Sequence, residues 1–304
     1  FNNRFGIDAA WYKTNATNQL LNIPMDAFSG YESRKVNAGN IQNQGFELSL
    51  NGAIMQTASG FNWDAQAHFS LNRSKILELT EGVTVYDIKT VDVLQIAATE
   101  GGKYGDIYGQ KFVRHNGQVV VGEDGLPLIT TDKELIGNQN PDWMLGLTNN
   151  FSYKGFDLNL FFEGMFGNDV NSDWKKESDI WLFTNPAWKN HATRMLGGWS
   201  PDNPNSDIPA ISNNTANQEQ RFSSWFIEDG SYIKLRNIEL GYTFPTKLIK
   251  KMHMSNLRLY AAAYNVFTLK KFWGDDKYTS FDPERPSYHY LTPFTFNFGI
   301  NVSF

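Results

Sequence analysis

The side chains that could carry out chemistry are few and widely separated in this chain. The five histidines are His68, His115, His191, His253 and His289. None of their spacings is one that brings two ring nitrogens to one metal ion, and the absence of cysteine excludes thiolate ligands, thiol nucleophiles and disulfides. The acidic stretch 202–207 has Pro204 and Ser206 where a calcium loop requires oxygen ligands and a glycine turn. We predict no metal site and no cofactor.

Catalytic motifs are equally weak. No Gly-x-Ser-x-Gly elbow occurs, and Gly101, Gly102 and Gly105 are not followed by the Lys-Ser/Thr pair of a phosphate-binding loop. Asp276 and His289 form the only candidate dyad for a barrel enzyme, and we interpret them as solvated polar residues instead. The sequence therefore predicts a protein that is not an enzyme.

Composition narrows the class further. The chain has 304 residues and a formal net charge of −5, which argues against nucleic-acid binding. No apolar run approaches the ~18 residues of a membrane-spanning helix. Aromatic residues nevertheless reach 15% although the mean hydropathy is −0.44. The opening residues resemble no signal peptide, so we expect a mature segment or a fragment that begins inside a fold.

Apolar residues recur at every second position, which is the period of a β-strand and not of a helix. Eight segments show this pattern, beginning at Phe5, Phe46, Phe61, Trp143, Phe156, Ile238, Leu257 and Phe294. The charged residues within or beside these segments fall opposite the apolar set: Arg4, Asp8, Glu47, Asp64, Asp157, Glu163, Glu239 and Arg258. Because a Lys or Arg facing lipid at mid-bilayer costs roughly 2–4 kcal/mol, this sorting favours strands that cross a membrane.

The connections between these segments alternate in length. Lys154-Gly155 and 54–60 are short turns, whereas 14–40, 76–141, 168–230 and 268–290 are long. Short turns on one side and long loops on the other are typical of outer-membrane barrels. We predict an all-β, antiparallel transmembrane barrel with eight spanning strands in this chain, the last of which runs toward the periplasm.

Two other folds fit the alternation. A soluble carbohydrate-binding β-sandwich also has one apolar face per strand, although soluble strands are usually shorter than these segments. A self-sufficient small barrel, acting as an adhesin or a structural anchor, is possible because eight strands can close. Short helices are predicted around Trp174, Trp181 and Trp188, which lie seven residues apart, and in the turn 245–252.

Four stretches of the sequence resemble the SusC-like (RagA-like) TonB-dependent outer-membrane transporters. They are residues 228–245 (EDGSYIKLRNIELGYTFP); residues 256–268 together with Asp282-Pro283-Glu284; the spaced Asn37, Gly39, Asn43, Gly45 and Glu47; and the terminal 298–304 (FGINVSF). The resemblance covers essentially the whole chain, and 228–245 is its most specific part.

The resemblance implies that residues 1–304 are the C-terminal segment of a 22-stranded, plugged barrel, without the plug domain and the first part of the barrel. It implies TonB-dependent import of oligosaccharides or peptides across the outer membrane of a Gram-negative bacterium. A SusD-like lipoprotein would form a lid on the long loops, TonB would act through the missing plug, and outer-membrane lipids would surround the wall.

Two sets of apolar residues are the candidate sites. The first set is expected to contact substrate or lid, with packing among the loops as the alternative: Trp174, Trp181, Trp188, Trp199, Trp225, Trp273 and Tyr278. The second set is expected to form the C-terminal insertion signal: Phe294, Phe296, Phe298, Ile300, Val302 and Phe304. Trp11, Tyr12, Trp63 and Tyr290 are predicted to belong to the aromatic girdles at the membrane interfaces.

Overall fold

The structure is a computed structural model that describes residues 4–24, 33–80, 82–91, 94–123, 125–173, 175, 179, 192–210, 224–270, 282–285 and 290–304. Its strands in chain order are β1 (Phe5–Pro24), β2 (Ser33–Gln56), β3 (Asn62–Glu78), β4 (Val85–Val91), β5 (Leu94–Thr99), β6 (Asp106–Gly109), β7 (Arg114–His115), β8 (Gln118–Val119), β9 (Glu134–Asn138), β10 (Trp143–Tyr153), β11 (Phe156–Phe166), β12 (Asp169–Asn171), β13 (Ile227–Asp229), β14 (Tyr232–Thr243), β15 (Asn256–Lys270) and β16 (Thr295–Ser303). Helix α1 (Thr246–Ile249) is followed by a 3-10 turn at Lys250–Met252, and another 3-10 helix spans Thr193–Gly197. Among the described residues, no helix has the length and apolar character needed to cross a bilayer.

One antiparallel sheet forms the wall of the molecule. Its order is β1-β2-β3-β10-β11-β14-β15-β16, which confirms the eight predicted strands. Each strand pairs antiparallel with the next, as expected for an up-and-down arrangement, with shifts of register in the β2–β3, β11–β14 and β14–β15 pairs. Within the described residues β1 and β16 are the two edges and do not pair with each other. The structure therefore does not show the small closed barrel.

Cross-strand register gives the wall one continuous apolar face. Ile7 lies opposite Leu50, which lies opposite Ala67. The row continues from Ala67 to Leu147 and from Leu147 to Phe162. This face is open, since Ile7 is 74% exposed and Phe298 on β16 is 82% exposed. A soluble sandwich would bury such a face against a second sheet, so the structure favours the membrane interpretation.

The opposite face of the wall is polar, as the charge sorting predicts. One row runs from Asp64 through Asn150 and Asn159 to Glu239. A second places Asp8 opposite Ser49 and Ser49 opposite His68. Arg4 precedes β1 and donates to the carbonyl oxygen of Ala53 at 2.9 Å. We call this polar surface the inner face.

The prediction of a long loop over 14–40 was wrong. Strand β1 continues to Pro24 and β2 already begins at Ser33, with Asn15 paired to Gln42 and Thr17 to Asn40. The pairing extends into a stretch where apolar residues no longer recur at every second position, since Leu20 and Leu21 are adjacent in the sequence. Hydrophobic alternation therefore stops there although the backbone ladder continues.

The stretch 76–141 carries a second layer of structure above the wall. Strands β4, β5, β6 and β9 form a four-stranded sheet, and β7 and β8 form a hairpin. Ile76, Leu79 and Ala98 make a small buried cluster that packs this sheet on the end of β3. On the opposite rim, Lys154 and Gly155 have φ of 48° and 88°, which confirms the tight turn. Helix α1 with the following 3-10 turn confirms the short helix predicted in 245–252.

Candidate functional site: the inner face and its charged cluster

The lower part of the inner face contains an ion-paired group of three charged side chains. Arg258 on β15 donates from Nε to Asp157 Oδ1 at 3.1 Å and from Nη2 to Glu239 Oε1 at 2.7 Å. A Cβ atom at Gly241 would overlap the Arg258 guanidinium, so this glycine leaves the space in which the group lies. Two carboxylates on neighbouring strands therefore share one cation.

Serine 49 and His68 form the only Ser-His contact that the described residues show. Ser49 Oγ lies 2.9 Å from His68 Nδ1 across the β2-β3 pair. A catalytic dyad needs a third group that orients the histidine, and within the described part of the chain no carboxylate is hydrogen-bonded to the His68 ring. We therefore interpret the pair as a polar contact between neighbouring strands on the inner face. The predicted Asp276-His289 pair lies outside the described residues.

A buried charged cluster connects β14 to the segment 282–285, and we call it the β14 cluster. Its members are Glu163, Tyr232, Lys234, Arg236, Asp282 and Glu284. Lys234 Nζ donates to Asp282 Oδ1 at 2.6 Å and also pairs with Glu284. The Lys234 side chain is only 4% exposed. The 282–285 segment is therefore held on the wall by a desolvated cation.

The second cation of the β14 cluster ties the same segment to β11. Arg236 Nε donates to Glu163 Oε2 at 2.5 Å, and its other guanidinium nitrogen pairs with Glu284. The Tyr232 hydroxyl donates to Glu284 Oε1 at 2.9 Å, while Thr292 donates to Asp282 Oδ2 at 3.0 Å. Every charge in the cluster has an opposite charge in contact, which is what makes burial of charged groups tolerable.

A β-bulge at Arg236 makes this arrangement possible. Asn237 pairs with Phe161 and Leu235 with Phe162, so Arg236 has no partner on β11. The extra residue lets Lys234, Arg236 and Asn237 all project to the inner face, where Asn237 donates to Asn159 at 3.0 Å. Sequence reasoning missed the role of these cations. The available signal was the change of apolar parity from Ile233 and Leu235 to Ile238 and Leu240.

The electrostatics of the 282–285 segment follow from these contacts. Burial alone would raise the pKa of Asp282, but the hydrogen bond and charge of Lys234 outweigh it and hold the pKa below its ordinary value. Burial also acts to raise the pKa of Glu284, and its bonds to Lys234, Arg236 and Tyr232 again bring that pKa below the ordinary range. Both carboxylates are thus held in their charged form.

A second pair of carboxylates on the same side of the membrane behaves in the opposite way. Asp169 on β12 lies directly opposite Asp229 on β13. Burial raises the pKa of Asp169, and the neighbouring Asp229 charge raises it further. The backbone N–H of Asn138 donates to Asp169 Oδ2 at 2.8 Å, and Ser231 donates to Asp229. We call these two residues the acidic pair.

An open cavity of about 510 Å³ lies where the extended ends of β1–β3 meet the segment 138–144. Asparagine and serine side chains make up much of its polar lining, among them Asn43, Ser70 and Asn72, and Lys103 and Tyr104 also line it. Asp142 forms an ion pair with Arg73 at the edge of the cavity. The cavity therefore presents amide, hydroxyl and charged side chains together.

Two of the seven aromatic residues predicted to contact substrate or lid lie in described segments. Trp225 stacks on Phe112 with 6.2 Å between ring centroids and donates from its indole N–H to Asp179 at 2.9 Å. Trp199 packs on Gly125, whose φ is 73° and where a Cβ atom would lie 3.0 Å from the Trp199 ring. Both rings therefore take part in packing among the loops. The other five lie outside the described residues: Trp174, Trp181, Trp188, Trp273 and Tyr278.

The girdle prediction needs one correction. Tyr12 lies on the inner face, where its hydroxyl donates to Asn72 at 3.1 Å and its ring covers Gly45 on the paired strand. Alternation places it there because the adjacent Trp11 is on the apolar face and 69% exposed. Trp63 stacks on Phe151 at 5.6 Å and donates to Asn149.

The predicted insertion residues lie along and beside β16. Phe296, Phe298 and Ile300 are exposed on the apolar face, with Phe298 aligned to Ala261 and Ile300 to Leu259. The remaining members, which are also exposed, are Phe294, Val302 and Phe304.

The described residues contain no group of three or more His, Cys, Asp or Glu side chains placed to hold a metal ion. In the stretch 202–207, Asp207 pairs with Arg114 at 3.0 Å and Asn205 accepts from Gln118 at 2.8 Å. This stretch therefore joins two loops to each other.

An antiparallel wall with an exposed apolar face, a polar inner face, short turns on one rim and layered loops on the other defines a membrane β-barrel protein. The family model described as "TonB dependent receptor-like, beta-barrel" matches residues 1–266. The chain belongs to this family, which confirms the resemblance seen in the sequence.

Individual relatives agree with this assignment. The chain is 28% identical to TonB-dependent receptor P3 of Formosa agariphila, covering 100% of this chain and 33% of that protein. It is 25% identical to TonB-dependent receptor SusC of Bacteroides thetaiotaomicron, covering 98% of this chain and 30% of that protein. The solved RagAB peptide importer in its open-open state is 25% identical with a TM-score of 0.76, covering 100% of this chain and 33% of that one. The chain thus spans about a third of the length of these relatives.

Proposed function

We propose that this chain forms the C-terminal part of the barrel of an outer-membrane importer that is driven by TonB. The observation that carries the proposal is the sorting of the wall into an exposed apolar face and a polar inner face. Such a wall suits lipid on one side and passage of a polar solute on the other. The barrel parts beyond these eight strands, the plug and the contact with TonB would come from the rest of the protein.

The substrate class that we propose is an oligosaccharide or a peptide. The peptide is supported by the likeness to the RagAB peptide importer, and both polar substrates are supported by the cavity lined by Asn43, Ser70, Asn72 and Tyr104. A SusD-like surface lipoprotein is the proposed lid. The layered loops supply the surface on which it would dock. Of the candidate aromatic residues, the five that would contact the lid or the substrate are Trp174, Trp181, Trp188, Trp273 and Tyr278.

Growth of the native bacterium tests the import function. A strain lacking the full gene should grow poorly when an oligosaccharide or oligopeptide mixture is the sole carbon source, and the intact gene should restore growth only when tonB is present. Growth of the deletion strain at the wild-type rate on every such mixture would contradict the proposal.

The mass of the native polypeptide from outer membranes tests the assignment to part of a larger barrel, since a mass of 34.6 kDa would overturn it.

The insertion role of the terminal strand is tested by Phe304→Asp in the full-length protein. We expect loss of outer-membrane assembly, because the change removes an exposed aromatic ring at the end of the apolar face and adds a charge there. The measurement is the amount of folded protein in outer-membrane fractions, with Ser303→Asp on the polar side of β16 as the matched control. Normal levels of the Phe304→Asp protein would overturn the insertion role.

Affinity measurements on the full-length transporter test the loop aromatics. Trp188→Ala and Trp273→Ala should weaken substrate binding if these rings contact the solute. Unchanged affinity in both variants would return these residues to a packing role.

A further inference from the structure

The turn between β14 and β15 carries an exposed basic surface. It contains helix α1 and the following 3-10 turn at Lys250–Met252, and it lies on the rim that also has the tight Lys154-Gly155 turn. From residue 240 to residue 256 the sequence has three lysines and no acidic residue. Lys247, Lys250 and Lys251 are all exposed, and we call these three the turn lysines.

The turn has one buried apolar side chain and two exposed ones. Ile249 is 2% exposed and anchors the turn, whereas Leu248 and Met252 are 64% and 59% exposed. Leu248 and Met252 are thus the exposed apolar side chains of the turn, and Lys247, Lys250 and Lys251 are its exposed charged ones. The exposed surface of the turn therefore combines apolar and basic side chains.

Aromatic rings mark the level of the membrane surface next to this turn. Phe156 and Tyr242 pair across β11 and β14 with 4.5 Å between ring centroids, and Phe244 contacts Tyr242 edge-on at 4.9 Å. Alternation puts all three on the apolar face together with Tyr153. Aromatic rings of barrel walls concentrate at the interface between acyl chains and headgroups. The turn lysines follow directly after this belt in the chain.

The positive charge of this rim is not cancelled by the wall beside it. Asp157 and Glu239 are the acidic residues closest in sequence to the two turns, and both are bound by Arg258. Lys154 lies over the Tyr153 ring at 5.0 Å and adds a fourth lysine to the rim. Among the described carboxylates, none forms an ion pair with Lys154 or with the turn lysines.

We infer that the turn lysines are a docking surface for the headgroups of anionic phospholipids in the periplasmic leaflet. Basic side chains just beyond a membrane interface attract anionic lipid headgroups, and an apolar flank can insert at the boundary of the acyl chains. The lysines bind phosphate oxygens while Leu248 and Met252 contact the upper acyl chain. The inference rests on the proposed outer-membrane function and on the predicted direction of the last strand toward the periplasm, because Ser303 at the end of that strand pairs with Asn256 next to this turn.

Lipid binding to the purified full-length transporter tests this inference. The probes are dioleoyl phosphatidylglycerol, which is anionic, and dioleoyl phosphatidylcholine, which is zwitterionic with the same acyl chains. Bound lipid is counted by native mass spectrometry at matched lipid concentrations. The test variant is Lys247→Gln/Lys251→Gln, and the matched control is Lys89→Gln/Lys133→Gln, which removes two exposed lysines from the layered loops.

We expect wild-type protein to prefer phosphatidylglycerol, and the test variant to lose its affinity for that lipid by at least about fivefold. Affinity for phosphatidylcholine should stay unchanged, and so should both affinities of the control variant. Equal binding of the two lipids by wild type would overturn the inference, as would wild-type phosphatidylglycerol affinity in the test variant or an equal loss in the control.

Import measurements separate this inference from the proposed function. If the intact gene supports growth on the imported nutrient but the purified wild-type protein shows no lipid preference, only the lipid inference is overturned. Failure of the growth test, in which the deletion strain imports as well as the wild type, would overturn the proposed function. It would leave the lipid measurement interpretable, because that measurement requires only folded protein.

Discussion

The β14 cluster and the acidic pair place carboxylates in similar positions and reach opposite electrostatic outcomes. Both lie at the loop end of the wall, and both involve two acidic residues close in space. In the β14 cluster, Lys234 and Arg236 contact the carboxylates and hold the pKa values of Asp282 and Glu284 below the ordinary range. In the acidic pair, burial and the Asp229 charge raise the pKa of Asp169. The cation in contact, more than burial itself, decides the direction.

Removing that cation should give the largest effect. Lys234→Met leaves Asp282 and Glu284 with only part of their compensation in a buried site, and loss of one partner of a buried ion pair typically costs about 3–5 kcal/mol. We expect the segment 282–285 to detach from β14. Hydrogen exchange of the amides in 282–285 measures this, with protection in the full-length protein reduced roughly a hundredfold or more, since each 1.4 kcal/mol corresponds to about tenfold.

Two variants control this prediction. Lys247→Met removes an exposed lysine from the opposite rim and should leave exchange in 282–285 unchanged. Lys234→Met/Asp282→Asn/Glu284→Gln removes the cation together with both charges that it holds, and it should recover part of the lost protection. Equal loss of protection in the single and the triple variant would show that charge compensation does not hold the segment.

The sequence predicts the strands of the wall far better than it predicts the opposite pKa shifts of the β14 cluster and the acidic pair. Strands such as β3 face lipid on one side, so the membrane requires an apolar residue at every second position. That alternation allows these strands to be recognised in the sequence. Between residues 14 and 24 apolar and polar residues no longer alternate, since Leu20 and Leu21 are adjacent, so the sequence does not distinguish this part of β1 from a loop. The β14 cluster was missed because Lys234 and Asp282 are 48 residues apart in sequence, and only the fold brings them together.

Acid should open the β14 cluster. The folded-state pKa values of Asp282 and Glu284 lie below their ordinary values of 3.8 and 4.5. A carboxylate with a depressed pKa stabilises the folded state fully above its unfolded value and loses that contribution as the pH falls through the folded value. We therefore expect the segment 282–285 to stay docked at pH 5 and to detach below about pH 4.

A dye at the docked segment reports this transition. The chain has no cysteine, so Arg285→Cys introduces a labelling site in this segment for an environment-sensitive fluorophore. Emission should be constant down to pH 5 and change at lower pH, and adding Glu284→Gln should move the midpoint upward because less anionic charge holds the segment. A midpoint above pH 5 in the protein with Glu284 intact would contradict the lowered pKa values.

The smallest effect, and one of opposite sign, is expected at the acidic pair. A carboxylate whose folded pKa is raised contributes stability at low pH that is lost as the pH rises, so Asp169 is unfavourable at pH 7. Asp169→Asn removes the repulsion from Asp229 and keeps an oxygen that can accept from Asn138 N–H. Like charges directly opposite each other on paired strands cost up to about 1 kcal/mol. We therefore expect slower amide exchange in 169–171 at pH 7, by up to roughly fivefold, and unchanged exchange in Asp202→Asn, which alters an exposed carboxylate. Faster exchange in Asp169→Asn would mean that the Asp169 charge stabilises this region, and the contrast between the two regions would then fail.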